Sequence, residues 1–152
     1  MERPFSGQWS LVLGASSGFG AAIVRELARQ GSNIFGVHLD RRQTMAGVEE
    51  LIASLKADGV EAEYFNINAA DEAKRVEAVG AMRARTQVPL RVIVHSIAFG
   101  TTGLGFIPGP DGAKLNQKQV EMSSIRWATA WCTGCRTCSK LDWRGRAPAS
   151  TA

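Results

Sequence analysis

Apolar positions along the chain fall into short runs and helical stripes that alternate. Trp9 to Leu13 is an apolar run that stops at Gly14, too short for a helix and of the length of a buried strand. Ile23, Val24, Leu27 and Ala28 then recur at helical spacing up to Gly31, which suits a helix-ending glycine. Asn33 to Leu39 is a second strand, and Met45, Val48, Leu51, Ile52 and Leu55 form one helical stripe ending near Gly59. Glu61 to Ile67 is a third strand, and Val76, Val79 and Met82 mark a third, Ala-rich helix. Leu90 to Val94 is a fourth strand whose near-continuous apolar character suits a sheet covered on both faces. Strands separated by single amphipathic helices imply right-handed crossovers and a parallel sheet, so the pattern predicts a doubly wound α/β fold. Gly100 to Gly112, rich in glycine and proline, reads as a long loop beyond the fourth strand, where open α/β sheets place their ligand crevice.

Composition divides the chain without changing that picture. At 152 residues it has room for one domain with a core. There is no apolar run of membrane-spanning length, and the first residues carry no apolar leader with a small-residue cleavage site, so a cytoplasmic protein that does not engage a membrane is expected. The net charge of +4 raises the question of nucleic acid. Up to Met122, however, thirteen Lys and Arg meet thirteen Asp and Glu, so the whole excess lies in residues 123–152 and the body carries no nucleic-acid footprint. All three cysteines and three of the four tryptophans also lie in that tail. The expected organisation is an α/β half-domain over 1–122, ending after its fourth strand, and an irregular tail over 123–152.

The candidate chemistry begins at Gly14-Ala-Ser-Ser-Gly-Phe-Gly20, where the first strand gives way to the first helix. Backbone N–H groups at a helix start have no partner inside the helix and are placed to bind a pyrophosphate. Gly14 would allow the tight turn, Gly18 would let the backbone approach the phosphates, and Gly20 would let the helix pack closely. Ser16 and Ser17 add hydroxyl donors beside Phe19. The same glycines without a ligand would make an ordinary strand-to-helix turn.

The spacing Gly-x-x-x-Gly-x-Gly resembles that of the short-chain dehydrogenase/reductase family, and the resemblance runs from Ser10 to about Met122. It implies a Rossmann-like fold that binds NAD or NADP and, in an intact parent, reduces or oxidises a small molecule. Asn66 and Ile67, after the third strand, match the family's adenine-contacting pair, with Asn66 where the family more often has Asp. His95-Ser96-Ile97-Ala98 takes the place of the family's Asn-Asn-Ala-Gly, and Val-His-Ser-Ile-Ala-Phe is similar to the enoyl-acyl-carrier-protein reductase branch, which implies an acyl-thioester substrate. The glycine loop is of the general type. Aligned on Gly31, the family's usual acidic position falls on His38 and its arginine position on Leu39, with Asp40, Arg41 and Arg42 just beyond. The arginines favour NADP over NAD by pairing with a 2′-phosphate, or else belong to a solvated helix start. His38 and His95 read as structural or cofactor-lining, because neither has a base partner in the sequence.

No residue is assigned a catalytic role. The resemblance implies a tyrosine with a lysine a few residues later and a serine upstream, to protonate or hydrogen-bond the developing oxyanion. The single tyrosine, Tyr64, falls in the third strand, and Lys140 has no tyrosine before it at the right spacing. Cys132-x-x-Cys135-x-x-Cys138 has the spacing of a zinc or iron–sulfur site but lacks a fourth ligand, so no metal is expected and a small metal protein is the third-ranked reading. Translating the tail's codons one base out of step makes Trp127 give Gly, Trp131 Val and Asp142 Leu, and permits an amphipathic helix followed by a strand start. The expectation is therefore a reading frame that slips shortly after Met122, leaving an inactive product of a reductase gene that would form oligomers only if intact. A non-catalytic dinucleotide-binding module is the second reading.

Overall fold

A computed structural model describes residues 3–97 and 117–118. Ala98, the Gly100 to Gly112 loop and the whole cysteine tail lie outside the described residues. Seven elements follow one another: β1 Trp9–Leu13, α1 Gly18–Arg29, β2 Asn33–His38, α2 Met45–Ala57, β3 Ala62–Asn66, α3 Glu72–Arg85 and β4 Leu90–His95. The four strands form one parallel sheet in the order β3-β2-β1-β4. This is the Rossmann-like doubly wound architecture expected from the alternating pattern.

Each face of the sheet is buried for a reason visible in the strand alternation. On one face Val12 and Ile34 pack under Ala21, Val24, Leu27 and Ala28 of α1 and Leu51 and Leu55 of α2. On the other, Trp9, Leu11, Phe35 and Val37 pack under Ala78 and Met82 of α3. Trp9 and Phe35, neighbours on adjacent strands, stack with ring centroids 4.0 Å apart. Two helices on one face and the third on the other mean that the chain, having built outward from β1 to β3, crosses back to place β4 on β1's far side. Strand order reverses between β1 and β4, and their carboxyl ends flank the crevice where such sheets bind ligands.

Two elements depart from expectation. In α3 the sheet-facing residues are Ala78 and Met82, whereas Val76 is 63% exposed, so the helix turns a narrower apolar side to the core than the Val76, Val79, Met82 stripe implies. Among the described residues β4 is not covered on both faces: it is the last strand of the sheet, its Arg91 is exposed and its Ile93 is 48% exposed. The β1–β4 register also slips by one residue, Trp9 facing Leu90 and Ser10 facing Val92, which leaves Arg91 as an extra residue, its guanidinium 6.0 Å from the Phe5 ring centre. Among the described residues no helix is long and apolar enough to cross a membrane.

Candidate functional site

The first strand's exit fixes the glycine loop before any side chain is considered. Gly14 and Ala15 both donate their N–H to the Val37 carbonyl, at 2.7 and 3.1 Å, which pins the loop to the end of β2. Gly14 has φ +83°, a region that L side chains rarely adopt, and a Cβ there would lie 2.5 Å from the Ser96 carbonyl oxygen. The position therefore requires glycine twice, once for conformation and once because the chain leaving β4 passes against it. Ser96 N–H in turn bonds the Leu13 carbonyl at 2.8 Å, so β1 and β4 end side by side.

Gly20 is tighter still. A Cβ would fall 1.9 Å from the Gly14 carbonyl oxygen, so the residue lets α1 start directly over the loop. Gly18 differs: its φ is +54°, yet a Cβ would meet nothing within 4 Å. Its conformation calls for glycine and its side-chain direction is open. Ser17 precedes the helix in extended conformation without a side-chain cap bond, and Ala21 N–H bonds Ser17 O at 3.1 Å. The amides ahead of Ala21 have no carbonyl in the preceding turn to bond, as at any helix start. Ser16 is half-buried, Ser17 and Phe19 are exposed, and the Phe19 side chain has no core role at 86% exposure.

The ends of β2 and β3 meet beside this loop. His38 is buried at the end of β2, and its Nδ1 lies 2.9 Å from Oδ2 of Asp40. The Thr44 hydroxyl, just before α2, donates to Asp40 Oδ1 at 2.8 Å, and Ser16 of the glycine loop stands near enough to stabilise the same carboxylate. Burial alone would raise the Asp40 carboxyl, but Ser16, Thr44 and His38, with the field of the imidazole, outweigh it and hold the pKa below its ordinary 3.8. The backbone of Asp40 is held too: its N–H donates to Asn66 Oδ1 at 3.0 Å, and Asn66 Nδ2 donates to the Asp40 carbonyl at 3.1 Å. Ile67 N–H bonds the His38 carbonyl at 2.8 Å and its side chain packs under the α3 face. Arg41 and Arg42 are exposed on the turn that follows.

The structure thus gathers Gly14, Ser16, His38, Asp40, Asn66, Ile67, Ser96 and Ile97 around the carboxyl ends of the strands, with Ser17, Gly18, Phe19 and Gly20 opening α1. Leu39, expected inside the second strand, is outside it and 71% exposed. Thr44 is a participant that the sequence reading missed. The available signal was a hydroxyl residue four positions after Asp40, just before an apolar helical stripe. Tyr64, the chain's only tyrosine, lies on β3 with its ring against Gly36, where a Cβ would be 2.6 Å from the ring. Among the described residues its buried hydroxyl has no hydrogen-bond partner, and burial pushes its pKa well up despite the nearby Arg25. Among the described residues no group of three His, Cys, Asp or Glu could hold a metal ion.

Comparison with known proteins agrees with this geometry. Residues 8–122 match the family described as short chain dehydrogenase. The chain is 32% identical over 93 residues to the 2,3-dihydro-2,3-dihydroxybenzoate dehydrogenase of Bacillus subtilis strain 168, covering 61% of this chain and 34% of that one. Among solved structures, a blue fluorescent protein from a metagenomic library, in complex with NADPH, superposes with TM-score 0.64 at 24% identity, covering 88% of this chain and 52% of the other. A double mutant of a Serratia marcescens short-chain dehydrogenase/reductase gives TM-score 0.62 at 23% identity, with coverage of 88% and 51%. At those identities the structural likeness speaks for the fold. The chain spans about a third of the curated relative and about half of each solved chain.

Proposed function

Since this chain belongs to the short-chain dehydrogenase family, we propose that its glycine loop and the strand ends around it hold a nicotinamide dinucleotide, NAD(H) or NADP(H). The observation that carries this reading is the contrast among the loop glycines. Gly14 and Gly20 are required by the protein's own backbone, whereas the open direction at Gly18 serves no packing purpose and leaves room for a phosphate against the helix-start amides. Ser16 and Ser17 would bind the phosphate side, Asp40 and Ile67 the adenosine side, and Ser96 and Ile97 would line the crevice toward the nicotinamide. When bound, the cofactor supplies or takes the hydride. The exposed Arg41 and Arg42 support NADP(H), and the carboxylate of Asp40 supports NAD(H).

The parent reaction we read as reduction of an enoyl or 3-ketoacyl thioester, supported by the Val94 to Phe99 sequence at the end of β4. A proton donor is needed for that reaction, and the only tyrosine here is buried on β3. We therefore read this chain as binding the cofactor without turning over substrate, in keeping with a frame that slips after Met122. Titration with NADH or NADPH should raise the midpoint of thermal unfolding in proportion to the logarithm of cofactor concentration. Absence of any rise with either cofactor at millimolar concentration would overturn the binding reading. Mixed with crotonyl and acetoacetyl thioesters and reduced cofactor, the chain should leave absorbance at the nicotinamide band unchanged, whereas a version carrying the alternative frame after Met122 should consume it.

A further inference from the structure

The site described above lies at the carboxyl ends of the strands; at their amino ends the chain forms an open cavity of about 310 Å³. Three neighbouring chain ends build it. α2 finishes at Ala57, the chain turns at Gly59 with φ +81°, and β3 sets out from Ala62, which brings Lys56 of the helix's last turn beside Val60 and Glu61. α3 ends close by, and its Arg85 pairs with Glu61. Alternation along β3 turns Ala62 and Tyr64 to the side of α1 and α2 and Phe65 to the side of α3, so Glu63 shares the α3 side with Trp9. Phe35, which carries the stacked Trp9 ring, stands opposite Glu63 in the β2–β3 register.

The charges on this lining sum to zero, yet only half of them are paired. Arg85 and Glu61 satisfy each other. The side chains of Lys56 and Glu63 line the same cavity and, among the described residues, form no ion pair or hydrogen bond, with each other or with any neighbour. Trp9 is 5% exposed, and its indole N–H meets no acceptor among the described residues. One unpaired charge of each sign above an apolar base of Trp9, Val60 and Ala62 is the complement of a molecule built the same way, with an anionic and a cationic group on a short apolar body. Size narrows the class further. A water molecule occupies about 30 Å³ in the liquid, so the cavity has room for about ten heavy atoms, which suits a single amino acid and excludes a nucleotide.

We propose that this cavity binds a small zwitterion of the free α-amino-acid class, with the carboxylate taken by Lys56, the ammonium by Glu63 and the apolar side chain laid against Trp9. The inference is independent of the dinucleotide reading, because the cavity shares no residue with the glycine loop or the strand ends around it. Lys56 is exposed, and an exposed ion pair contributes little, so affinity in the millimolar range is expected.

The test is saturation-transfer NMR on the full chain, which detects millimolar ligands against micromolar protein, with L-leucine and two analogues that each keep one of its charges, isocaproate and isoamylamine. L-Leucine should bind with a dissociation constant of about 1 mM, with transfer strongest at its methyl groups, and each analogue should bind at least about tenfold more weakly. Lys56→Met should abolish the preference for leucine over isoamylamine and keep that over isocaproate, whereas Glu63→Gln should do the reverse. A merely structural role for either side chain would not move the two preferences in opposite directions. NADH should leave leucine bound, since the two sites stand at opposite ends of the sheet. No transfer to leucine at tens of millimolar would overturn the proposal, as would equal binding of all three compounds to the unmodified chain. Displacement of leucine by NADH would place the amino acid at the strand carboxyl ends instead and overturn it as well.

Discussion

Gly18 and Gly20 are two positions apart in one loop and are glycine for different physical reasons. Alanine at Gly20 gains helix propensity and would stabilise an unobstructed helix, but its Cβ would overlap the Gly14 carbonyl. Gly20→Ala should therefore destabilise by about 2–3 kcal/mol, and Gly18→Ala by about 1–2 kcal/mol for its positive φ alone. Urea unfolding of the two variants checks the order, and a Gly20→Ala chain at least as stable as the parent would contradict the contact. Asp40 gives a pH-dependent counterpart. Its folded pKa lies below 3.8, so the carboxylate stabilises the fold above that pH and loses its contribution as pH falls through the folded value. The stability difference between wild type and Asp40→Asn should be flat near neutrality and shrink under acid, a trend that denaturation at stepped pH would follow. The glycines were legible because spacing alone announces a strand-to-helix turn. The Asp40 network was not, because His38 and Asp40 meet only after the chain bends at Leu39, and Asn66 and Thr44 reach them from other elements.

Periodicity located all seven elements because each pairs a period with a boundary residue: Gly31 and Gly59 after α1 and α2, at φ +92° and +81°, and Asp71 capping α3 through the Lys74 N–H. It misjudged which side of α3 is buried. In an Ala-rich helix a small residue fills the close helix–sheet gap, so Ala78 with Met82 faces Phe35 and Val37 while the larger Val76 points to solvent. Met82→Ala should cost about 2–5 kcal/mol, and Val76→Ser should stay within about 0.5 kcal/mol of wild type. Thermal melts of the pair distinguish a core stripe through Val76 from the one described. A polar pair is also buried, Ser10 on β1 and Ser32 just before β2, with hydroxyls 2.7 Å apart and the Ser32 hydroxyl also 3.0 Å from the Asn33 carbonyl. No hydropathy pattern marks such a pair, since each serine alone reads as a surface residue.

At the scale of the molecule, among the described residues β3 and β4 bound the sheet and β4 carries an apolar side chain, Ile93, half open to solvent. A strand edge with exposed apolar groups is a template for association. Ile93→Lys should therefore lower light scattering of concentrated protein and leave the unfolding midpoint nearly unchanged; equal scattering from both proteins would place association elsewhere. The passage of the Ser96 carbonyl against Gly14 has a further consequence in time. The neighbours of Gly14 on β1 and β2 lie close along the chain, but its wall at Ser96 is eighty-two residues away, and loop closure over such a span is slow relative to local helix formation. During synthesis the glycine loop thus acquires its final shape only once β4 has left the ribosome, and, on the proposed function, a dinucleotide captured earlier would be held by a half-made socket.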